Sequence, residues 1–294
     1  MRVLIVASYN RSCFAPFVTE QIAALRQAGC TVECFGVQGK GLTGYLRAIP
    51  RLREQIQAIR PDVIHAHYGL CGLLANLAVR SIPVVTTYHG SDIHQPSVRL
   101  LSKIAMRLSA WNIFVSPRLM DRAHCRRRNS VIPCGVDLTD ETWRGDEPNK
   151  VLFAGAFDNA VKDAPLALEA MKGIDAELVE LKGYTRQEVN GLLCSVRCLL
   201  MTSRSEGSPQ IIKEALVCGC PIVSVDVGDV RRRIEGVANC YIAPRDPQAI
   251  HETISAVRNE RTNGREKIIA DGLTNSQVAK KIMDIYANIV RPHR

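Results

Sequence analysis

The sequence predicts an α/β protein built from two doubly wound domains, each a parallel β-sheet with helices on both faces. The chain has 294 residues, which is enough for two domains of ordinary size. Short apolar runs alternate with amphipathic stretches of roughly 10–16 residues, as in βαβ units. One polar segment near the middle interrupts this alternation. Continuous apolar strands that alternate with helices are typical of parallel sheets covered on both faces.

The predicted strands are rich in β-branched residues. In chain order they read RVLIVA, CTVECF, DVIHAH, IPVVTTY, NIFV, SVIP, VLFAG, AELVEL, CLLMTS, PIVSV and NCYIA. The stretches between them predict helices at residues 16–28, 44–60, 70–80, 116–127, 163–172, 185–194 and 208–219. The first of these helices stops at Gly29, a residue type that commonly terminates helices.

The polar segment LTDETWRGDEPN, at 138–149, is predicted to be the interdomain linker because it has no apolar period. We therefore expect an N-terminal domain at 1–142 and a C-terminal domain at 143–275. Residues 276–290 predict a final helix, and the segment 276–294 could pack back toward the N-terminal domain. The buried stripe of that helix would comprise Val278, Ile282, Ile285 and Ile289.

Composition excludes several classes of protein. With 46% hydrophobic and 23% charged residues, the chain is neither disordered, collagen-like nor a coiled coil. No apolar run approaches the ~20 residues of a membrane span, and the first residues do not read as a signal peptide. The eleven cysteines, an odd number without C-x-x-C spacing, indicate neither a disulfide scaffold nor a zinc site. A reducing, cytoplasmic location is expected.

The net charge of +9 is concentrated in the first half, with +7 in residues 1–148 and +2 in 149–294. This excess suggests an anionic partner, although a solvated basic surface is an equal alternative. The arginine runs 126–128 and 231–233 lack interleaved aromatic residues, so no nucleic-acid partner is expected.

One basic stretch, 44–60, mixes apolar residues with arginines and could lie on an anionic membrane surface, which would suit peripheral contact with the inner membrane face. The arginines are Arg47, Arg51, Arg53 and Arg60. Pro50 interrupts the stretch, and an ordinary surface helix is the alternative.

The segment SRSEGSPQIIKEALVCGCPIVSVDVGDV, at 203–230, carries the strongest chemical signal. Ser208 suits the N-cap of a helix, and Pro209 suits its first position. The backbone amides of Gln210 and Ile211 would then be free to bind an anion.

Two glutamates, Glu206 and Glu214, flank this helix start with a spacing of eight residues. Amides that bind phosphate and carboxylates that accept bonds from hydroxyl groups together suit a sugar nucleotide. In other sequence contexts, glutamates are mostly solvated surface residues. The pattern EGSPQIIKE resembles the retaining glycosyltransferases of family 4. Further segments resemble that family in matching order: HAHYGLCGLLANLA (65–78), TTYHGSDIH (86–94), VIPCGVDL (131–138) and VGDV (227–230).

The resemblance covers nearly the whole chain and implies two Rossmann-like domains facing across a cleft, the GT-B arrangement. It implies that the N-terminal domain binds the acceptor and the C-terminal domain binds the nucleotide sugar, which is a substrate and not a cofactor. Glu214 would hold the ribose hydroxyls, and Glu206 would contact the transferred sugar. The amides of Gln210 and Ile211, with Ser208, would take phosphate.

The resemblance also implies that Lys162 neutralises the diphosphate leaving group. A fixed cation there would stabilise negative charge that develops in the transition state. The family usually has an arginine a few residues earlier, but residues 156–159 are Ala, Phe, Asp and Asn. Arg204 is a candidate to replace it.

Three further residues take roles by family position. His89 would contact the donor sugar and phosphate region, and Tyr184, in KGYTR (182–186), would contribute to the base pocket. The loop 8–16 lacks the family's paired glycines, and Ser12 could donate to phosphate instead. The sequence contains no D-x-D motif, so no metal is expected.

The resulting hypothesis is a retaining, metal-independent glycosyltransferase of polysaccharide or glycolipid biosynthesis. It would move a sugar from a nucleotide-sugar donor to a hydroxyl of a saccharide or lipid-linked acceptor. Two alternatives stay open, a noncatalytic sugar-nucleotide-binding homologue and a sugar-nucleotide epimerase on the same fold.

Overall fold

Strands and helices alternate along the computed structural model, which describes residues 1–10, 12–39 and 41–290. The strands are β1 (Arg2–Ser8), β2 (Thr31–Val37), β3 (Val63–His67), β4 (Val84–Tyr88), β5 (Trp111–Phe114), β6 (Asn129–Val131), β7 (Glu147–Phe153), β8 (Glu177–Glu180), β9 (Val196–Met201), β10 (Ile222–Val225) and β11 (Cys240–Ala243). Each of them overlaps one of the apolar runs predicted as a strand.

Every predicted helical segment overlaps at least one helix, and several further helices were not predicted. They are α1 (Pro16–Gln27), α2 (Gly41–Leu46), α3 (Ile49–Ile59), α4 (Gly69–Ala78), α5 (Ser91–His94), α6 (Pro96–Leu108), α7 (Pro117–Ala123), α8 (Ala164–Ala170), α9 (Arg186–Ser195), α10 (Gln210–Cys218), α11 (Val230–Ile234), α12 (Pro247–Ser255), α13 (Gly264–Ala270) and α14 (Asn275–Ile289).

The chain forms two compact units, each around one parallel sheet. Unit 1 comprises Met1–Gly135 together with the chain from Asn275 onward, and unit 2 comprises Val136–Thr274. The strand order is β2-β1-β3-β4-β5-β6 in unit 1 and β11-β10-β9-β7-β8 in unit 2. Both are doubly wound sheets, so the predicted α/β class is confirmed. In each, the strand order reverses beside the first strand, between β1 and β3 and between β7 and β9. Ligands of such sheets bind at this switch point, outside the carboxyl ends of the strands.

Apolar side chains fill both faces of the sheets, as predicted for parallel strands. In unit 1, α1 and α14 cover one face, with Ile22 and Ile282 in one buried cluster. On the other face, α3 and α4 pack around Leu52 and Leu74. In unit 2, a single cluster joins the strands to the helices around them.

The boundary between the units differs from the predicted one. Unit 1 ends at Gly135, not at 142, because the following residues are held by unit 2. Val136 pairs with Thr274 in an isolated β-bridge, and the Arg265 guanidinium donates to the Thr139 carbonyl at 2.6 Å. The predicted linker is also shorter, since its last residues begin β7.

The predicted single helix at 44–60 is two helices, α2 and α3, with a break before Pro50. The apolar face of α3 is internal, because Leu52 and Ile56 are buried in the core of unit 1. The Arg53 side chain donates to the carbonyls of Leu77 and Ala78. The structure therefore favours the alternative that α3 is an ordinary surface helix.

Candidate functional site

The switch point of unit 2 brings together Lys162, from the loop after β7, and Glu206, from the loop after β9. The Lys162 ammonium donates to Glu206 Oε1 at 2.7 Å, and both side chains are largely buried. Glycines make room for the pair. A Cβ on Gly155 would lie 2.5 Å from Lys162 Cγ, and one on Gly228 would lie 2.8 Å from the Gly207 carbonyl oxygen and 3.1 Å from Glu206 Cβ. The sequence therefore permits this ion pair at the carboxyl edge of the sheet.

Two arginines converge on the residue that follows Lys162. Arg204 and Arg245 each donate to the Asp163 carboxylate, at 3.0 and 2.9 Å. The hydrogen bond from Arg204, together with the positive charges of both arginines, holds the pKa of Asp163 below its ordinary value. Arg204, the candidate replacement for the missing family arginine, is thus tethered beside Lys162, and the backbone N–H of Arg204 donates to the Val161 carbonyl at 2.8 Å.

Helix α10 begins in the same loop cluster, but not with the predicted cap. Its first residue is Gln210, Pro209 occupies the N-cap position, and Ile211 packs partly against the core. The Ser208 hydroxyl instead donates to Asp229 Oδ2 at 2.9 Å. Proline at the N-cap leaves no side-chain acceptor for the first amides, so Ser208 is wrong as the predicted cap although it lies beside the helix start.

Glu214 lies one turn into α10 with its side chain almost fully buried. Arg186, the first residue of α9, forms a 2.9 Å ion pair with Glu214 Oε1. Burial raises the pKa of the Glu214 carboxyl, and the charges of Arg186 and Lys213 oppose that rise. Tyr184 is half exposed two residues before Arg186. Tyr184 therefore lies two residues along the chain from the arginine that pairs with Glu214.

The switch point of unit 1 contains a cavity of about 510 Å³, a size suited to a small ligand. Its wall includes the carboxyl end of β1, the loop after β1, the residue directly after β3 and the starts of α5 and α6. Three aromatic side chains line it, those of Phe14, Tyr45 and Tyr68. Asp92 lies in the wall and accepts from the backbone N–H groups of Gly69 and Gly90.

A row of three stacked histidines runs along the same edge. His65 stacks on His67 and His67 on His89, with ring centroids 4.9 and 5.3 Å apart. His67 Nδ1 lies 3.0 Å from His89 Nε2, and His89 Nδ1 lies 3.7 Å from Cys134 Sγ. Tyr68 packs against His89 at 4.7 Å. His89 is therefore held directly after β4 by contacts on both ring nitrogens and by the rings of Phe17, His67 and Tyr68.

Burial keeps the inner histidines neutral. It lowers the pKa of His67 to about 3 and that of His65 well below its ordinary value. His65 is further fixed by the Tyr286 hydroxyl of α14, at 2.5 Å from its Nδ1, and by Thr87, at 2.7 Å from its Nε2. The final helix thus supports the histidine row from within the same unit.

Two residues at this edge adopt a left-handed backbone conformation. Ser12 has φ of 58° and Tyr68 has φ of 73°. Non-glycine residues in this region are strained, and such strain clusters at functional sites. Ser12 stands in the loop where the family often has glycines, and its neighbour Cys13 lines the cavity. The chain thus takes up the left-handed conformation there without a glycine.

Several site residues were not predicted from the sequence. His67 lies in the HAHYG segment, Tyr68 follows it, and Asp229 lies in the VGDV segment, so attention to these motifs could have found them. Arg186 ends the KGYTR segment and Arg245 belongs to no quoted motif, but the partners of both are distant in sequence.

Residues 1–10, 12–39 and 41–290 contain neither a metal-binding cluster nor a membrane-spanning helix. No group of three or more His, Cys, Asp or Glu side chains there could hold a metal ion. None of the helices in these ranges is long and apolar enough to cross a membrane.

Known proteins match both units. Residues 15–140 match the family model described as Glycosyltransferase Family 4, and residues 143–260 match that described as Glycosyl transferases group 1. The putative teichuronic acid biosynthesis glycosyltransferase TuaC of Bacillus subtilis is 25% identical over 244 residues. That match covers 68% of this chain and 62% of TuaC, so the chain spans less than two thirds of that relative's length.

Solved structures share the fold. Sucrose-phosphate synthase from Thermosynechococcus elongatus aligns with a TM-score of 0.81 and 17% identity, covering 98% of this chain and 99% of the synthase. Anabaena Alr3699/HepE in complex with UDP aligns with a TM-score of 0.76 and 15% identity, covering 98% of this chain and all of that chain (100%). The two family matches together account for most of the sequence, and the folds agree across its length. The chain belongs to the family 4, group 1 glycosyltransferases with the GT-B fold.

Proposed function

We propose that this protein is a retaining glycosyltransferase that transfers a sugar from a nucleotide-sugar donor to a hydroxyl of a saccharide or lipid-linked acceptor. Unit 2 would hold the donor and unit 1 the acceptor. The observation that carries the proposal is the Lys162–Glu206 ion pair beside the start of α10, at the switch point of unit 2.

A diphosphate is the ligand that suits this cluster. The start of α10 offers backbone amides, and Lys162 is a cation close by that is already held in place by Glu206. As the diphosphate departs, its charge grows, and Lys162 would stabilise that charge without any metal ion. Glu206, the partner of Lys162, would accept hydrogen bonds from the transferred sugar. Tethered Arg204 would add positive charge near the same group.

Glu214 and Tyr184 suit the nucleoside half of the donor. The buried Glu214 carboxylate is held in place by Arg186 and would accept hydrogen bonds from both ribose hydroxyls. The half-exposed Tyr184 ring would contact the base. HepE was solved with UDP, which makes uridine diphosphate the first nucleotide to test.

In unit 1, His89 would contact a hydroxyl of the transferred sugar. Its Nδ1 lies 3.7 Å from the thiol of Cys134, a weak hydrogen-bond partner that a sugar hydroxyl could replace. Ser12 would donate to phosphate. Retention of the anomeric configuration requires the acceptor oxygen to attack from the face that the diphosphate leaves, so a diphosphate oxygen can take the acceptor proton.

The first experiment measures thermal unfolding with UDP, GDP and ADP. A nucleotide at a hundredfold its Kd should add about 2.7 kcal/mol to the free energy of unfolding. We expect one nucleotide to give this shift and Glu214→Ala to abolish it. The control variant, Glu169→Ala, removes an exposed carboxylate of the same unit and should keep the shift. Absence of a shift with all three nucleotides would contradict the proposed donor class.

The second experiment follows the matching nucleotide sugar by NMR. We expect a transfer product whose anomeric proton shows the same coupling as that of the donor. A chelator should not lower the rate of transfer. Binding without turnover would identify a noncatalytic homologue. A product formed without acceptor and inverted at one sugar centre would identify an epimerase.

A further inference from the structure

Helix α6 of unit 1 carries an exposed apolar stripe that the sequence analysis did not identify. Leu100, Ile104 and Leu108 are spaced four residues apart and are 68%, 40% and 49% exposed. Side chains at this spacing lie on one face of a helix. The opposite face, with Ser102, Ala105 and Met106, is buried against the unit. The stripe is therefore an outward face and not part of the core.

The charges on α6 have one sign. Arg99, Lys103 and Arg107 lie between the apolar residues, and the sequence of α6 contains no acidic residue. Lys103 and Arg107 are exposed. This helix accounts for three of the excess positive charges in the first half of the chain.

A neighbouring helix extends the apolar surface. Leu77, at the end of α4, is 40% exposed. The residue before it, Asn76, donates to the Ser109 hydroxyl directly after α6, at 3.1 Å. The end of α4 therefore lies beside the end of α6, and Leu77 adds to the exposed apolar residues at that end.

We propose that the α6 surface, defined by Leu100, Ile104, Leu108 and the cations among them, docks on an anionic lipid bilayer. A helix with an apolar face and basic residues lies in the interface plane of such a bilayer. Anionic headgroups would neutralise Arg99, Lys103 and Arg107 while the leucines enter the acyl boundary. A second copy of the same surface would instead bring like charges together, which is unfavourable.

The docking surface adjoins the cavity of unit 1. Gln95 and Val98, just before and within the first turn of α6, line that cavity, as does Tyr45 of α2. Helix α2 itself exposes Leu42 and Leu46. A bilayer bound to α6 would thus lie near the cavity and favour an acceptor anchored in the membrane. This assignment of a lipid-linked acceptor rests on the proposed transferase function, whereas docking itself does not.

The test is flotation of the full chain with lipid vesicles. Phosphatidylcholine vesicles containing about 30% phosphatidylglycerol should bind the protein, and pure phosphatidylcholine should bind it far less. The triple variant Leu100→Gln, Ile104→Gln, Leu108→Gln should weaken binding about tenfold or more. Lys103→Glu with Arg107→Glu should weaken it on anionic vesicles, and about 0.5 M salt should do the same to the unchanged protein.

A matched triple variant controls for the loss of exposed apolar residues. Leu138→Gln, Leu168→Gln and Ile269→Gln change comparably exposed side chains of unit 2 and should leave vesicle binding unchanged. Failure of the protein to bind anionic vesicles would overturn the proposal. So would binding that survives the α6 substitutions, or a dimer that the α6 substitutions dissociate in the absence of lipid.

The outcome separates docking from catalysis. Vesicle binding needs no donor or turnover, and the nucleotide-dependent thermal shift should be unchanged in the α6 triple variant. Loss of vesicle binding with a retained shift therefore tests the surface, whereas a missing shift with retained vesicle binding tests the proposed donor site.

Discussion

The two units share one architecture and differ in the chemistry at their switch points. In unit 2 the carboxyl edge of the sheet carries ion pairs, with Lys162 on Glu206 and two arginines on Asp163. In unit 1 the same edge carries a row of stacked histidines, two of them kept neutral by burial, and a cavity lined in part by aromatic side chains. A doubly wound sheet fixes where a ligand binds, and the side chains on its loops decide which ligand.

This difference matches the division of substrates that we propose. A nucleotide diphosphate carries charge that needs fixed cations and amides, as unit 2 provides. A sugar acceptor carries hydroxyls and apolar faces, which aromatic walls accommodate. We therefore expect ion pairs to govern stability and catalysis in unit 2, and neutral histidines to govern the pH dependence of stability in unit 1.

The largest effect is expected from Arg233 of unit 2. This buried side chain donates to Asp229 and Asp271, both at 2.9 Å, and Asp229 is itself buried. Arg233→Ala should lower the free energy of unfolding by about 3–5 kcal/mol, because it leaves a buried carboxylate without its counter-ion. Denaturant unfolding measures this. Arg231→Ala, which removes an exposed pair with Asp226, should cost less than about 1 kcal/mol. Equal costs for the two variants would contradict the prediction.

The next effect concerns catalysis. Lys162→Ala should lower kcat about 10²- to 10³-fold with the donor identified by thermal shift, since it removes a cation at the departing diphosphate. Steady-state kinetics measure this, and Lys172→Ala, at an exposed lysine of the same unit, should leave kcat unchanged. If Lys162→Ala kept kcat within a few fold, the leaving group would be stabilised by another residue.

Replacement of Glu206, the ion-pair partner of Lys162, should have a smaller effect on catalysis. Glu206→Gln keeps the shape of the side chain but removes the charge that holds Lys162 and accepts sugar hydroxyls. Hydrogen bonds to charged groups contribute about 1.5–3 kcal/mol, so kcat/KM should fall about 10- to 100-fold. Nearly full activity would show that Glu206 has no such role.

The neutral histidines of unit 1 predict a pH dependence of stability. The pKa of His67 falls from 6.5 in its ordinary state to about 3 in the fold, so the unfolded chain binds the additional proton. Stability is therefore complete above pH 6.5 and decreases as the pH falls from 6.5 toward 3, by up to about 1.4 kcal/mol per pH unit for this group.

Denaturant unfolding between pH 7 and 5 measures the slope of the free energy of unfolding with pH. His67→Gln should reduce this slope by the contribution of one bound proton. Asp92 acts in the opposite sense, because burial raises its pKa from 3.8 to about 6. The unchanged protein and His67→Gln both contain Asp92, so its contribution cancels when their slopes are compared. An identical slope in the two proteins would mean that the fold does not lower the pKa of His67.

The smallest effect is expected at Ser12. Its left-handed backbone costs about 1–2 kcal/mol for a non-glycine residue, and the entropy of an unfolded glycine offsets part of any gain. Ser12→Gly should raise the free energy of unfolding by up to about 1 kcal/mol. Ser97→Gly in α6 should lower it slightly, and a loss of stability in Ser12→Gly would indicate that its hydroxyl matters to the loop.

The strands were predictable because continuous burial on both faces leaves a local signature, and each apolar run became a strand. Helix α6 escaped prediction although its apolar residues recur at helical spacing, and only the structure shows that Leu100, Ile104 and Leu108 face outward. The division at Gly135 also escaped prediction, since the β-bridge between Val136 and Thr274 joins residues distant in sequence.

The candidate site, like the fold, was predictable from the sequence only in part. The motif EGSPQIIKE, its family resemblance and Lys162 were legible in the sequence, because residue types and spacing along one loop and helix carry them. The roles assigned to these residues stay predictions until they are measured.

The sequence by itself determined the α/β class, the order of strands and helices and the glycosyltransferase family, because these depend on local pattern. Only the tertiary structure decided that Arg186 pairs with Glu214, that Arg245 and Arg204 share Asp163, and that Tyr286 supports His65. Those contacts join residues 28 to 221 positions apart. They form only when parallel strands bring distant loops to one edge of a sheet, which no local pattern encodes.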